Sequence, residues 1–227
     1  MATRRWLAEL LDGAQARVGQ PVRLESSGGV EVARRLRAGE LFDVVVLARD
    51  AIDALIDSGQ LRAGSAADLA HSPVAVAVRA GAPRPDIGDE PALRRAVLAA
   101  RTIGTSTGPS GVALAGLFER WGIAPQVRDR IVTPPAGVPV GALVASGVVE
   151  LGFQQLSELV PLEGVQVLGV LPAPVEIVTT FAAAIGSAAR HPQAARALIA
   201  FLTSPAAADT QRRHGMVPAG GARGTGP

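Results

Sequence analysis

The sequence contains no cysteine and no tyrosine, and it has only three histidines among its 227 residues. Without cysteine the chain can form no disulfide, no thiol nucleophile and no thiolate metal site. His71, His191 and His214 lie far apart and show no metal-ligand spacing. No apolar run is long enough to span a bilayer, and the first residues contain no apolar segment typical of a secretory signal. Because cysteine is absent and the histidines lack ligand spacing, we predict no metal, and we predict no cofactor.

Lysine is also absent, so all 22 basic residues are arginine, and 20 acidic residues leave a net charge of +2. Arg34, Arg35 and Arg37 alternate with apolar residues, as on the exposed face of a helix. Aromatic residues make up 3% of the chain, which is too few for a base-stacking surface. The composition therefore predicts that nucleic acid is not a partner.

Apolar periodicity predicts alternating helices and strands. Residues 3–19 read as a helix with Thr3 as its N-cap, and residues 21–26 read as a short strand. A second helix is predicted to start near Gly29. The nearly continuous apolar run 42–48 is typical of a parallel strand buried on both faces. The alternation predicts an α/β fold.

Two long apolar strands are predicted near 73–79 and 175–183, and neither has the composition of a linker. We interpret them as crossing hinge strands between two lobes, each a mainly parallel sheet flanked by helices, with the second lobe inserted into the first. The predicted bounds are 1–75 with 181–215 for the first lobe, 76–180 for the second, and 216–227 for a flexible tail.

Four turns rich in small residues each precede a predicted helix. They are "MAT" (1–3), "ESSGG" (25–29), "STGPSG" (106–111) and "PPAGVPVG" (134–141). Glycine lets the backbone approach a ligand, serine and threonine add hydroxyl donors, and the first N–H groups of a helix suit an anion. Taken singly, each turn is explained equally well by ordinary helix capping. Two such pairs in two predicted lobes favour a site for a small anion.

A predicted strand ending at Phe153 is followed by Gln154 and Gln155, which could bind a carboxylate or an oxyanion or could form a surface turn. Catalytic motifs are scarce. Glu25, beside the serine-rich turn, is a candidate base, with a surface role equally open. Asp43, inside the apolar run 42–48, is the other candidate base, and its expected role is to cap or orient a loop at the strand start.

The stretch "SSGGVEVARRLRAGELFDVVVLARDAIDALIDSGQL" resembles the substrate-binding proteins of molybdate-type ABC transporters. The resemblance continues in order through "STGPSGVALAGLFERWG", "GVPVGALVASGVVELGFQQLSEL" and "ALIAFLTSPAAADTQRRHGM". It implies the two-lobed type II periplasmic-binding-protein fold, a small anionic ligand, and an ABC transporter permease as partner. It also implies a periplasmic location and a monomer. The sequence as written shows no signal segment, so a cytoplasmic ligand-sensing domain without a transport partner is a further alternative. Because this family begins with a signal peptide and a first strand, we expect the natural protein to start upstream of Met1.

The resemblance places the family's ligand contacts on the four turns and at Gln155, where the family has a tyrosine. The resulting set of ligand-binding residues is Ala2, Thr3, Ser26, Ser27, Gly28, Gly29, Ser110, Gly111, Val138, Gln154 and Gln155. Gly29 and Gln155 each lack a hydroxyl that is usual in the family, and each lost contact is worth about 1 kcal/mol for an oxyanion. The glutamines suit a planar carboxylate equally well. The predicted ligand is thus a molybdate- or tungstate-like oxyanion, with an aconitate-like acid, bound or isomerised, as the alternative.

Overall fold

A computed structural model describes residues 2–135 and 137–220, and this part of the chain contains eleven α-helices and eight strands. The helices are α1 (Arg4–Leu11), α2 (Gln15–Val18), α3 (Gly29–Arg37), α4 (Arg49–Asp57), α5 (Glu90–Ala99), α6 (Pro109–Arg120), α7 (Ala124–Val127), α8 (Val140–Ala145), α9 (Leu156–Leu159), α10 (Pro192–Leu202) and α11 (Pro205–Arg213). The strands are β1 (Val44–Ala48), β2 (Ala67–Arg79), β3 (Ile103–Gly104), β4 (Ile131–Val132), β5 (Leu151–Gln155), β6 (Val165–Val170), β7 (Val178–Ile185) and β8 (Val217–Pro218).

The chain divides into two compact units. The first unit comprises the residues up to Ser72 together with those from Thr180 onward, and the second comprises Pro73–Thr179. The chain passes from one unit to the other within β2 and again within β7.

The sheet of the first unit has helices on both faces. β1 pairs antiparallel with β7, so that Val44 lies opposite Ile185. Val45 and Leu47 of β1 pack in a cluster with α3 and α4. Val44 and Val46 contact the opposite cluster, which α1 and α10 supply. A parallel strand was predicted over 42–48, but β1 pairs antiparallel, so the predicted direction is wrong. A strand buried on both faces is a continuous apolar run in either case, so the run does not indicate the direction of the neighbouring strand.

The second unit has a mixed sheet. β3 pairs in parallel with both β4 and β5, whereas β2 pairs antiparallel with β5 and β6. The α/β class is confirmed, but β1 and β7 pair antiparallel in the first unit and the second unit has a mixed sheet, so the sheets are not mainly parallel. The parallel register sets Gly104 of β3 opposite Gly152 of β5, so these two strands end at the same edge of the sheet. The core beneath them is built around Phe118 and Phe153, whose rings meet edge to face.

Helix α8 packs directly against the backbone of β3 and β5, because both strands present glycine where the helix crosses. A Cβ at Gly104 would lie 2.6 Å from Val140 Cγ1, and one at Gly152 would lie 2.4 Å from Val144 Cγ2. Either contact is closer than carbon atoms tolerate. These glycines therefore fix where the first residues of α8 lie relative to the end of β5.

The N-terminal prediction needs two corrections. The helix predicted over 3–19 is broken into α1 and α2, since Gly13 disfavours helix and the Ala14 N–H turns back to the carbonyl of Leu11. The strand predicted over 21–26 does not form. Alternating apolar residues favour a strand only where a neighbouring strand supplies hydrogen bonds, and none pairs with this segment in the described part of the chain.

The predicted flexible tail over 216–227 is wrong for its first five residues, and 221–227 lie outside the described residues. Met216 is buried in the α1 and α10 cluster. Val217 pairs with His71 of β2, and Pro218 pairs with Ala70. An apolar side chain followed by a strand pair outweighs the flexibility that glycine and proline indicate. Across residues 2–135 and 137–220, no helix has the length and apolar character needed to cross a membrane.

Candidate anion-binding site

Helix α1 of the first unit begins at Arg4, and Thr3 is its N-cap residue, as predicted. The Thr3 hydroxyl makes no capping hydrogen bond, and the first turn contains no acidic side chain. The positive end of this helix is therefore not neutralised locally, which favours a nearby anion. Ala2 is 6% exposed and packs in the α1 and α10 cluster, so its side chain serves the core and only its backbone could serve a ligand.

Helix α3 begins at Gly29 after an extended Gly28, and no side chain caps it. Ser26 is exposed and Ser27 is half-buried. Neither hydroxyl has a hydrogen-bond partner among the described residues. A Cβ at Gly29 would meet only Leu47 Cδ2, at an ordinary contact distance of 3.5 Å. The hydroxyl missing at Gly29 is thus not excluded by sterics, and this turn offers Ser27 and backbone N–H groups as donors.

Helix α6 of the second unit begins at Pro109, again without a side-chain cap and without an acid in its first turn. The hydroxyls of Ser106 and Ser110 lie 3.0 Å apart and hydrogen bond to each other. The Gly111 N–H donates to the Gly108 carbonyl at 2.9 Å, so that donor is already used. A Cβ at Gly111 would lie 1.8 Å from the carbonyl oxygen of Ser106. Gly111 is therefore required for the turn to close, and Ser110 supplies the remaining donors.

The predicted backbone donor near Val138 is not free. The Val138 N–H donates to the Pro135 carbonyl at 3.1 Å, because the chain turns here before α8. The side chain of Val138 is 40% exposed. Sequence alone could not distinguish a turn that satisfies its own N–H group from one that leaves it for a ligand.

Gln154 and Gln155 both lie within β5, which runs two residues beyond its predicted end at Phe153. The Gln154 side chain is fully engaged inside the second unit. Its Oε1 accepts the Gly141 N–H at 2.9 Å, in the first turn of α8, and its Nε2 donates to Glu158. Gln154, on the neighbouring strand β5, therefore caps α8. The sequence indicated a polar group here but not this role.

Gln155 keeps part of its amide free. Its side chain is 7% exposed, and its Nε2 donates to Thr179 Oγ1 at 3.1 Å. Its Oε1 is one of two buried side-chain atoms in the described residues that have no hydrogen-bond partner. A buried polar atom without a partner is uncommon in proteins and costs about 1–3 kcal/mol. Sequence reasoning missed Thr179, although the pair "TT" in an otherwise apolar strand is the signal that could have drawn attention to it.

The two acids considered as bases are both tied to cations or to backbone. Glu25 forms ion pairs with Arg23 at 3.1 Å and with Arg35 at 2.9 Å, one through each carboxylate oxygen. Asp43 Oδ1 accepts the backbone N–H of His191 at 2.9 Å, and this bond lowers the pKa of the Asp43 carboxyl below its usual value. Asp43 thus orients the loop before α10, as expected.

The candidate donors are neutral, namely backbone N–H groups, hydroxyls and one amide. Helices α4, α10 and α11 also lack side-chain caps, so a missing cap does not by itself distinguish α1, α3 and α6. Among the described residues no group of three or more histidine or acidic side chains is placed to hold a metal ion. Neutral donors of this kind suit a small anion.

A family model described as bacterial extracellular solute-binding protein matches residues 1–217. The aconitate isomerase of a Pseudomonas species is 39% identical over 188 residues, which are 82% of this chain and 71% of that protein. The periplasmic molybdate-binding protein of Azotobacter vinelandii superposes with a TM-score of 0.77 at 20% identity, over 95% of both chains. The sulfate-binding protein of Mycobacterium tuberculosis gives a TM-score of 0.73 at 20% identity, over 95% of this chain and 83% of that one. These likenesses confirm the predicted type II periplasmic-binding-protein fold and the resemblance to molybdate-type binding proteins.

Proposed function

We propose that this chain, which belongs to the bacterial extracellular solute-binding proteins, binds a small carboxylic acid and delivers it to the permease of an ABC transporter. Membership of the family implies a small anionic solute and a permease partner. We propose with it a periplasmic location and a monomeric state.

The observation that carries the ligand class is the 39% identity with a protein named for aconitate, a tricarboxylic acid. The molybdate and sulfate neighbours are each 20% identical, which is too distant to transfer a ligand. Two departures from the oxyanion pattern agree with this choice. Gly29 carries no hydroxyl, and Gln155 has an amide in place of the hydroxyl that is usual in the molybdate-type family.

Each unit contains candidate donors of its own. In the first unit they are the Thr3 and Ser27 hydroxyls with the first N–H groups of α1 and α3. In the second unit the candidate donor is Ser110, and Gln155 adds an amide. Each hydrogen bond from a neutral donor to a carboxylate contributes about 1.5–3 kcal/mol, because the acceptor is charged. Several such bonds bind an anion without a permanent positive charge from the protein.

A ligand panel tests the proposal. We would measure thermal unfolding with citrate, cis-aconitate, trans-aconitate, molybdate, tungstate, sulfate and phosphate, followed by calorimetric titration of each ligand that shifts the midpoint. A ligand at a hundred times its Kd adds about 2.7 kcal/mol, which is roughly 5–10 °C for a protein of this size. We expect the carboxylic acids to act. A response to molybdate and tungstate alone would contradict the proposed carboxylic acid and identify the ligand as an oxyanion.

Matched serine variants test the donors. Ser27→Ala removes a hydroxyl that has no internal partner, and we expect a loss of affinity of about 10- to 100-fold with little change in stability. Ser146→Ala is the control, because its hydroxyl donates to the Leu143 carbonyl near the end of α8 and is not among the predicted donors. Equal affinity for both variants would remove the serine-rich turn from the site.

Isomerisation of the bound acid is the second candidate, favoured by the same 39% identity. The reaction removes a proton from the methylene carbon of one aconitate isomer, shifts the double bond toward that carbon, and adds a proton to the hydrogen-bearing carbon of the original double bond. It requires a general base. Because both oxygens of Glu25 contact guanidinium groups, we expect Glu25→Gln to retain most of any conversion.

Proton NMR of trans-aconitate incubated with the purified protein would measure the conversion directly. Formation of cis-aconitate in proportion to protein concentration supports the isomerase, and binding without conversion supports the carrier. A loss of about 100-fold or more in Glu25→Gln would assign the base to Glu25 after all.

A further inference from the structure

We propose that Thr179 is a positioning residue that holds the Gln155 amide with its carbonyl oxygen toward the ligand, and that the site therefore selects a carboxylic acid carrying a hydroxyl group. This inference rests on the proposed function and names the substrate class more closely. Thr179 is the last residue of the second unit, and its side chain is buried.

The geometry gives the two ends of the Gln155 amide different roles. The Nε2 end donates to Thr179 Oγ1 at 3.1 Å. The Oε1 end is buried and has no partner among the described residues. The strand pair between β5 and β2, with Gln155 opposite Val74, holds the backbone of this residue. The amide is thus anchored at its nitrogen and unsatisfied at its oxygen.

An unsatisfied carbonyl oxygen needs a hydrogen-bond donor. A fully ionised carboxylate or a tetrahedral oxyanion such as molybdate offers only acceptor oxygens, so neither can satisfy Gln155 Oε1. A hydroxyl group on the ligand can donate to Oε1 while the ionised carboxyl groups accept from the N–H and hydroxyl donors. The class that meets both requirements is a hydroxy acid with two or more carboxylates.

The chain supplies its own control for Thr179. Thr180 is the next residue of β7, and consecutive strand residues point to opposite faces of the sheet. Its hydroxyl lies 2.9 Å from Nδ1 of His71 and not beside Gln155. Replacing either threonine by valine removes one hydroxyl from the same strand at nearly constant volume, so the two variants separate an effect on the amide from a general effect on β7.

The experiment compares citrate with tricarballylate, which has the same tricarboxylate skeleton without the hydroxyl. Calorimetric titration of the unaltered protein should give a Kd for citrate about 3- to 10-fold lower, the range that one hydrogen bond supplies. In Thr179→Val the amide N–H loses its acceptor and is free to turn toward a carboxylate, so the preference should fall to about 1 or reverse. Thr179→Ser and Thr180→Val should both retain it. Because the readout is a ratio of two ligands, a uniform loss of affinity from altered packing does not change it.

Each outcome decides something different. If neither acid binds but an aconitate isomer does, the hydroxyl selection is overturned while the carboxylate carrier stands; if no carboxylic acid binds, the proposed function itself fails. If both bind with equal affinity, only a water molecule satisfies Gln155 Oε1, and the hydroxyl selection is overturned while the carboxylate carrier stands. Tighter binding of tricarballylate would mean that the amide presents its N–H group, which also overturns the inference. A preference that Thr180→Val removes as fully as Thr179→Val would deny Thr179 its positioning role.

Discussion

Gly111→Ala should both destabilise the protein and abolish ligand binding. The glycine is the third residue of α6, and the carbonyl oxygen of Ser106 approaches the place that a Cβ would occupy. A methyl group there would lie 1.8 Å from that oxygen and 2.8 Å from the carbonyl carbon. Both atoms belong to the backbone, so no side-chain rotation can relieve the contact.

The magnitude follows from the displacement that this contact demands. A carbon–oxygen contact is comfortable near 3.4 Å, so the turn over 106–111 must move by about 1.5 Å, and overpacking of this kind costs roughly 1–3 kcal/mol. A backbone clash belongs in the upper half of that range. For a chain of this length each kcal/mol lowers the Tm by about 2–4 °C, so we expect a loss of about 4–12 °C.

Gly116→Ala provides the control within the same helix. A Cβ at Gly116 would meet no atom within 4 Å, so alanine should stabilise α6 by about 0.5–1 kcal/mol through helix propensity. The assay is thermal and urea unfolding of both variants, followed by titration with the acid that binds best. We expect Gly111→Ala to lower the free energy of unfolding and Gly116→Ala to raise it. Unchanged stability of Gly111→Ala would refute the close approach of Ser106, and lowered stability with full affinity would remove this turn from the binding site.

Three further variants probe the rest of the structure. Asp43→Asn should lower the Tm at pH 7, and the difference in Tm from the unaltered protein should shrink toward pH 3. The reason is that folding lowers the pKa of the Asp43 carboxyl, so the ionised carboxyl stabilises the fold above its unfolded pKa. This stabilisation is lost as the pH falls through the folded pKa. A deficit that stays constant between these pH values would contradict this. Gly152→Ala brings a methyl group to 2.4 Å from Val144 Cγ2 and should cost about 1–3 kcal/mol in urea unfolding, whereas an unchanged midpoint would show that α8 can shift. Gln154→Leu leaves the Gly141 N–H without its acceptor and should cost about 1–3 kcal/mol, unless α8 finds another cap.

Local patterns predicted the elements of this fold better than their pairing. The start of α3 at Gly29 is confirmed, and α6 begins at Pro109, within the turn 106–111 that was predicted to precede a helix. Both helices follow from periodic apolar residues after a glycine-rich turn, which are local signals. The direction of β1 depends on a partner more than a hundred residues away in sequence, and an apolar run contains no information about that partner.

The candidate site was predictable as a set of turns, but not in its atomic detail. Hydroxyls and glycines before helices indicate donors, and Ser27 and Ser110 stay candidates on that basis. Whether a particular N–H group is free depends on the turn that forms, and the Val138 N–H is used by Pro135. The role of Thr179 depends on a contact between β5 and β7, which no local pattern contains.

The doubled glutamine has a consequence for how this binding protein can change. Successive residues of a strand face opposite sides, so Gln154 holds α8 in place while Gln155 leaves part of its amide unused. A substitution at position 154 removes the cap of α8, whereas one at position 155 leaves that cap in place and, under the proposed function, alters a group that contacts the ligand. A library randomised at position 155 alone is therefore the experiment we propose for changing the specificity without uncapping α8.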